Sequence, residues 1–507
     1  MAISIPEGLE VIFTRRRGDG FLYQSLDVTA EDLSARLDAL SPDVIVNLAG
    51  ENNPDNAHKN PLASYGVNVE AVRTLRDWCS VSGAHLVQVS SQAALDDTVN
   101  AYGMQKHLAD SCLSDAPCSW TIVRPSFVLG IRPFPAIGRE NPAERILSGA
   151  EVRSVNDRLF TACFAWDVVR VIWEAVQQQP KGSTWNVGGV DAVSRLDVAR
   201  YLGFNPLAIS HDELLVMGFC ERPKDTTYTE FHGERTNAAD GFMRLKQEYA
   251  DRQNDTLAYR SKEIAAFSRI PHEQALAKLS NGFRELHPAV NADFRAANPQ
   301  TDDELLAWYR NTPSYIWELT AYHSDVGFNY RGMVGGIIER LKQNGCKSVL
   351  CLGDGTGDLA LACDAAGIAA TYHDLRGSQT AMFAEFRMDL RGSKCKVNET
   401  STFQPPVVDV VYDAIVSLDY LEHVPNVDEW AAFVYASLKQ GGIFVAQNAF
   451  AIGSGPDGSI PMHLACNDRW EKDWDPMLFS LGFEQMGPQW YRRPSAVSAE
   501  WPAMVSA

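Results

Sequence analysis

From Ser348 to Ala362 the chain reads SVLCLGDGTGDLALA, an unbroken apolar run that breaks into a glycine-rich turn and resumes with apolar positions at helical spacing. Val349 to Leu352 are predicted as a buried parallel strand, because a strand covered on both faces need not alternate apolar with polar. Gly353, Gly355 and Gly357 then allow a sharp turn and a close backbone approach to a ligand, with no Cβ in the way. The next strand ends in ATYHDLRG and places Asp374 at its carboxyl end. A third runs from Asp413 to Leu418, with Asp419, Glu422 and His423 just beyond it. A helix over Glu429 to Lys439, a Gly441-Gly442 stop and the strand GIFVAQNAF follow. The first half repeats the alternation: Val44 to Leu48 and AHLVQVSS are apolar runs ending in Ala49-Gly50 and Ser90-Ser91.

Between the halves the pattern turns polar and helix-prone. Leu276, Leu279, Phe283 and Leu286 fall on one helical face, which Gly282 weakens. Thr301 and Glu304 have the spacing of a capping box, so a helix should start there. Near the end, GSGPDGS reads as a flexible loop before His463, and LGFEQMGPQWYRRP as a closing β-hairpin.

A length of 507 residues exceeds one core, and about 150 residues per domain suggests roughly three units. Forty-five Lys and Arg against 64 Asp and Glu leave a formal charge of −19, which phosphate backbones would repel. The densest basic run, Arg15-Arg16-Arg17, is too short for a nucleic-acid footprint. Ten cysteines occur singly with no C-x-x-C spacing, so they read as thiols of a reducing cytoplasm and no metal is expected. No apolar window approaches a membrane span. A cytoplasmic protein is expected, with neither nucleic acid nor membrane as partner, and with a homo-oligomer left open.

Two constellations carry chemistry. Asp374 sits where a carboxylate can hold ribose hydroxyls, and ligands of open α/β sheets bind at that strand edge. In the first half, Tyr102 and Lys106 are four apart and share a helical face. A lysine beside a phenol favours the phenolate, and a nearby serine such as Ser91 can hold a carbonyl, the chemistry of a tyrosine acid in hydride transfer. As bare spacing, the same pair is also a common surface feature of helices.

The glycine loop, the acidic residue Asp374 and LDYLEHVPN make residues 320 to 495 resemble a class I S-adenosylmethionine-dependent methyltransferase. That resemblance implies S-adenosylmethionine as cofactor, with Gly353, Asp354, Gly355, Gly357, Asp374, Leu418 and Asp419 around it. The family's usual acidic residue two positions before the first glycine is Cys351 here, with Asp354 inside the loop instead. His463, past a core strand, is the candidate base; a structural hydrogen bond is its other reading. Arg492 and Arg493 could face an anionic acceptor or be solvated.

Residues 8 to 228 resemble the extended short-chain dehydrogenase/reductases, most closely the dTDP-4-dehydrorhamnose reductase type. The matches are NLAG, YGVNVEAVRTL, VSS with YGMQK, RPSFVLG, FAWDVVR, WNVGG and RPKDT. The resemblance implies Ser91, Tyr102 and Lys106 as a catalytic triad with Asn68 as helper. It places Asp27 and Val28 beside the adenine of NADP or NAD, and Arg15 or Arg16 at a 2′-phosphate. GLEVIFTRRR looks like that family's second strand, and the strand, glycine turn and helix expected before it are missing. Either the start of the domain lies outside this sequence, or the domain is a scaffold or substrate-binding module.

The expected fold is therefore α/β: two Rossmann-like parallel-sheet domains joined by a mainly helical segment. The boundaries expected are 1–228, 229–300 and 301–507. The expected activity is methyl transfer to a small molecule or glycan, with a nucleotide-linked sugar suggested by analogy to the first half. The alternative is a methyltransferase for another metabolite or a protein, with the first half a non-catalytic binding module.

Overall fold

A computed structural model describes residues 4–16, 23–95, 99–136, 138, 140–227, 230–407, 409–455 and 457–495. The chain divides into two compact units. The first comprises Met1–Pro133, Ile137–Tyr259 and Ser268–His272, and the second Phe134–Ala136, Arg260–Phe267 and Glu273–Ala507. From Ala238 to Ala297 the chain is mainly helical and divides between the units, with Ala238–Gln253 in the first and Phe283–Ala297 in the second. Among the described residues no helix is long and apolar enough to cross a membrane.

In the first unit the strands Val44–Asn47, His85–Val89, Ser119–Pro125 and Ser183–Val187 lie side by side in that order, all parallel. Successive side chains point to opposite faces. Thus Leu86 and Ile122 join one buried cluster, with Leu75 and Leu113, while Val87 and Val123 join another, with Val171 and Ile172. Both faces are covered, which is why these strands read as continuous apolar runs. Phe13–Arg15, inside GLEVIFTRRR, pairs in parallel with Tyr23–Ser25 as a separate two-stranded sheet.

The second unit is built on seven strands: β1 (Ser348–Leu352), β2 (Ala369–Leu375), β3 (Lys396–Thr400), β4 (Tyr412–Leu418), β5 (Leu438–Gln447), β6 (Glu484–Gly487) and β7 (Trp490–Arg492). Their order across the sheet is β3-β2-β1-β4-β5-β7-β6. The first five are mutually parallel and β7 is antiparallel to both its neighbours. Val349, Cys351 and Val416 face one core, and Leu350, Leu352 and Ile415 the other. After β1 the chain moves to β2 on one side, and it returns as β4 on the other. That reversal opens a crevice outside the carboxyl ends of β1 and β4, where open α/β sheets take ligands.

The helix expected through Gly282 is broken there. His272–Ser280 ends, Gly282 adopts φ +79°, and Phe283–Ala297 begins. Thr301 does cap Asp302–Asn311, with reciprocal bonds to Glu304. The helix expected over Glu429 to Lys439 runs Val427–Ser437, and β5 starts at once from Leu438.

Candidate active site

The loop after β1 needs its glycines. Gly353, Gly355 and Gly357 have φ of +60°, +51° and +78°, a region that side chains with a Cβ avoid. Gly353 N–H and Asp354 N–H both point to the His373 carbonyl (2.9 and 3.3 Å), tying the loop to β2. A Cβ on Gly353 would overlap the Tyr420 ring. Asp354 uses both carboxylate oxygens on the following helix, accepting from Leu359 N–H (3.0 Å) and Ala360 N–H (2.7 Å). It therefore caps the helix Asp358–Ala365 and holds the loop's exit.

Asp374, at the end of β2, accepts Gly355 N–H at one oxygen and Leu375 N–H at the other, each 2.7 Å away. Burial raises its pKa to about 6 against the pull of those bonds. Asp419, one residue past β4, has φ +49°, an uncommon value for a residue other than glycine, in the class of backbone strain found at functional sites. Its backbone N–H donates to Gln447 O (2.9 Å), and among the described residues its carboxylate has no hydrogen-bond partner. Burial lifts its pKa to about 6. Leu352, Gly353, Asp374, Leu418 and Asp419 line one cavity of about 350 Å³. Cys351 is fully buried behind the loop and makes no part of that wall.

A buried charge network that the sequence reading missed supports the loop. Asp358 Oδ1 meets Arg260 (2.8 Å) and Arg387 (3.0 Å), while Oδ2 accepts from His323 Nδ1 (2.8 Å) and Thr356 Oγ1 (2.7 Å). Arg387 also donates to the Thr356 carbonyl (2.6 Å) and pairs with Glu263 (3.0 Å). Burial alone would push the Asp358 carboxyl up, but the two guanidiniums hold it well below the usual range. Asp358 belongs to the "TGD" that closes the loop, and apart from Thr356 its partners Arg260, His323 and Arg387 come from helices far away in sequence, so spacing carried no signal for them.

The cavity's outer wall comes from helices and the segment before β6. Phe283 and His287 stand on one helix, Glu318 and Tyr322 on Ser314–Ser324, and His463 on the loop after β5. That loop, expected to be flexible, is pinned: Gly455 N–H donates to His463 O (2.9 Å), Ile460 N–H to Gly453 O (3.0 Å), and Asn291 Nδ2 to Ser459 O (2.8 Å). His463 is buried. Its Nδ1–H donates to the Ile452 carbonyl (2.8 Å), which leaves Nε2 as the basic nitrogen, and burial lowers its pKa below the ordinary 6.5. The His423 ring packs edge-on against it, 4.8 Å between centroids, and burial drives its pKa to about 3.

In the first unit, Ser91, Tyr102 and Lys106 do come together. Tyr102 and Lys106 stand on the helix Ala101–Ser114, the Ser91 hydroxyl lies close enough to the Tyr102 phenol to oppose the upward pull of burial on its pKa, and Lys106 Nζ donates to the Val89 carbonyl (3.2 Å). Asn68 lies in a π-helical turn and bonds Glu51 and Gln105. The expectation that lysine lowers the tyrosine pKa is not met: burial raises the phenol and depresses the ammonium, and Lys106 serves a carbonyl instead. Arg16 pairs with Asp27 (2.9 Å), whose pKa falls to about 2 through bonds from Thr29 and that guanidinium. Arg15 lies over the Tyr23 ring, Val28 packs on the core, and Arg17 is outside the described residues.

Two family models match, each to one half. Residues 5–213 match the RmlD substrate binding domain and residues 350–446 match a methyltransferase domain. The chain is a fusion of an RmlD-like domain with a methyltransferase domain. No curated protein matches it. Among solved structures, it is similar to a dTDP-4-dehydrorhamnose reductase from Bacillus anthracis in complex with NADP. They share 19% identity over 45% of this chain and 89% of that one, with a TM-score of 0.40. A dTDP-4-dehydrorhamnose reductase from Yersinia enterocolitica gives 18%, 45%, 91% and 0.38. A UDP-glucose 4-epimerase from Thermotoga maritima with UDP-glucose gives 14%, 46%, 85% and 0.39. The strand order described above, rather than these scores, carries the fold.

Proposed function

We propose that the second unit is an S-adenosylmethionine-dependent methyltransferase for a small-molecule or glycan acceptor. The observation that carries this reading is the meeting, in one cavity at the β1/β4 reversal, of the glycine loop, Asp374 and the unpartnered carboxylate of Asp419. The residues fit the cofactor. Asp374 keeps lone pairs for ribose hydroxyls after accepting its two N–H bonds, and Asp419 offers a half-buried carboxylate to an ammonium group. Asp419 thereby supplies the acid that the family places at the Cys351 position.

The bound cofactor would supply an already activated methyl group on a sulfonium. What the chain must add is alignment and exclusion of water. Half-buried Tyr309, Tyr315 and Tyr420 line the cavity, and His463 would accept a proton from a hydroxyl acceptor at Nε2. The first unit is proposed as an NAD(P)-dependent reductase- or epimerase-like partner, a reading supported by the proximity of Ser91, Tyr102 and Lys106.

Gly355→Val tests the cofactor assignment. The new side chain would take φ +51° and push on Leu319, 2.9 Å from its Cβ. Calorimetric titration with S-adenosylmethionine should show binding to the natural chain and none to the variant. Equal affinities would refute the assignment.

A further inference from the structure

The cavity of the second unit carries acids, histidines and aromatic rings, but among the described residues that line it there is no lysine or arginine. That composition bears on the acceptor. A diphosphate brings at least two negative charges, and taking them out of water requires compensating donors, either cationic side chains or free backbone N–H groups. In the loop at this cavity the Gly353 and Asp354 N–H groups are spent on the His373 carbonyl and that of Gly355 on Asp374. The two arginines nearest the chain's end do not supply them. Arg493 donates to the carbonyls of Tyr435 (2.9 Å) and Leu438, and Arg492 to the Asn344 side chain (3.2 Å). Arg295 donates to the Gly458 carbonyl (2.6 Å), holding the loop from behind.

The outer wall offers something else. Phe283, Tyr322 and Phe328 pack against one another, with centroids 5.3, 5.1 and 4.9 Å apart, and form an aromatic wall of the cavity. Beside them Glu318 is bonded to His287 Nδ1, while its other carboxylate oxygen, Oε2, is buried without a partner. Glu318 is 4% exposed and lines the cavity. A buried carboxylate oxygen left open is costly unless a ligand donor completes it. Burial lifts the Glu318 pKa, and the bond to Glu318 raises that of His287. The pair therefore holds no net charge that would call in an anion.

We infer that the methyl acceptor is a phosphate-free, hydroxyl-bearing ring compound, whose ring packs on Phe283 and Tyr322 and whose hydroxyl hydrogen-bonds Glu318. This rests on the methyltransferase reading above and narrows its substrate class. A nucleotide-linked sugar, suggested by the first unit, does not enter this cavity with its diphosphate.

The test uses the full chain with S-adenosylmethionine and pairs of acceptors that differ in phosphate: phenol against phenyl phosphate, and a methyl glucoside against UDP-glucose. Release of S-adenosylhomocysteine is the readout, and calorimetry with S-adenosylmethionine alone is run in parallel. Turnover should be confined to phosphate-free members. In Glu318→Gln the acceptor KM should rise roughly 10- to 100-fold, the loss of a hydrogen bond to a charged group, with cofactor affinity unchanged. Glu318→Ala should behave likewise, and intact cofactor binding in either variant certifies its fold. Preference for a phosphorylated member, no turnover of any phosphate-free one, or an unchanged KM in both variants would overturn the inference. Absence of cofactor binding to the natural chain would instead sink the methyltransferase reading itself.

Discussion

Asp358→Asn removes the shared carboxylate between the Arg260 and Arg387 guanidiniums, with Asp358, Arg260 and Arg387 all under 8% exposed. The substitution is nearly isosteric, so the loss is electrostatic. Buried Arg260 then loses the carboxylate it meets, and buried Arg387 is left with Glu263 alone, which it shares with half-buried Arg391. Breaking a buried pair by removing one partner costs about 3–5 kcal/mol, because an uncompensated charge is left inside. Asp358's carboxyl is depressed, so its contribution is present above the unfolded pKa of about 3.9 and is lost only as pH falls through the folded value. The penalty should thus be the same at pH 7 and pH 5. Amide hydrogen exchange reads the second unit by itself. Protection of β1 and β4 amides should fall by roughly two to three and a half powers of ten, at 1.36 kcal/mol per power. Adding Arg387→Met should recover part of the loss, since it removes one of the stranded charges. A loss below about 1 kcal/mol, or a double variant as poor as the sum of its singles, would refute the network's role.

His463→Ala should lower the methyl-transfer rate roughly 10²- to 10⁴-fold while leaving cofactor affinity intact, and in the natural chain the rate should fall only at acid pH, below the ordinary imidazole range, because burial lowers the His463 pKa before Nε2 takes up a proton. Near-natural turnover of the variant at neutral and mildly acid pH would return His463 to a structural role. Gly353→Ala forces a Cβ into the Tyr420 ring at φ +60°, and should cost about 2–4 kcal/mol in second-unit stability, read by the same exchange experiment. Unchanged protection would mean that Tyr420 moves aside freely.

Val44–Asn47, His85–Val89, β1, β2, β4 and β5 were legible because covered parallel strands are apolar runs ending in glycine, serine or acidic turns, whereas Ser119–Pro125, Ser183–Val187 and the polar edge strand Lys396–Thr400 were not read. Leu350 and Cys351 needed no tertiary information to be read as core. Gly282 was harder. The 3, 4, 3 spacing across it is helical, but a residue at φ +79° ends one helix and starts another, and a weak penalty in sequence became a break. Asp354 read as a ligand group because it sits among the loop glycines; it does line the cavity, and it also caps the next helix with one N–H bond to each oxygen, a role that the spacing did not show. Glu318 and His287 stand on separate helices, and only the fold brings them together. The Tyr102–Lys106 pair shows the limit of spacing from the other side. The two do share a helix face, yet burial and a backbone carbonyl decide the direction in which each titrates.

Calorimetric titration of the full chain with S-adenosylmethionine, at pH 7.5 and at pH 5, tests the central claim most directly. Asp374 and Asp419 each titrate at about 6, so at pH 5 each is ionised in about one molecule in eleven. If their ionised forms hold the ribose and the ammonium group, affinity should be at least about tenfold weaker at pH 5. Asp374→Ala should weaken binding at pH 7.5 by about 1.5–3 kcal/mol, the worth of a charge-assisted hydrogen bond. No binding at either pH, or an affinity indifferent both to pH and to loss of the Asp374 carboxylate, would contradict the account.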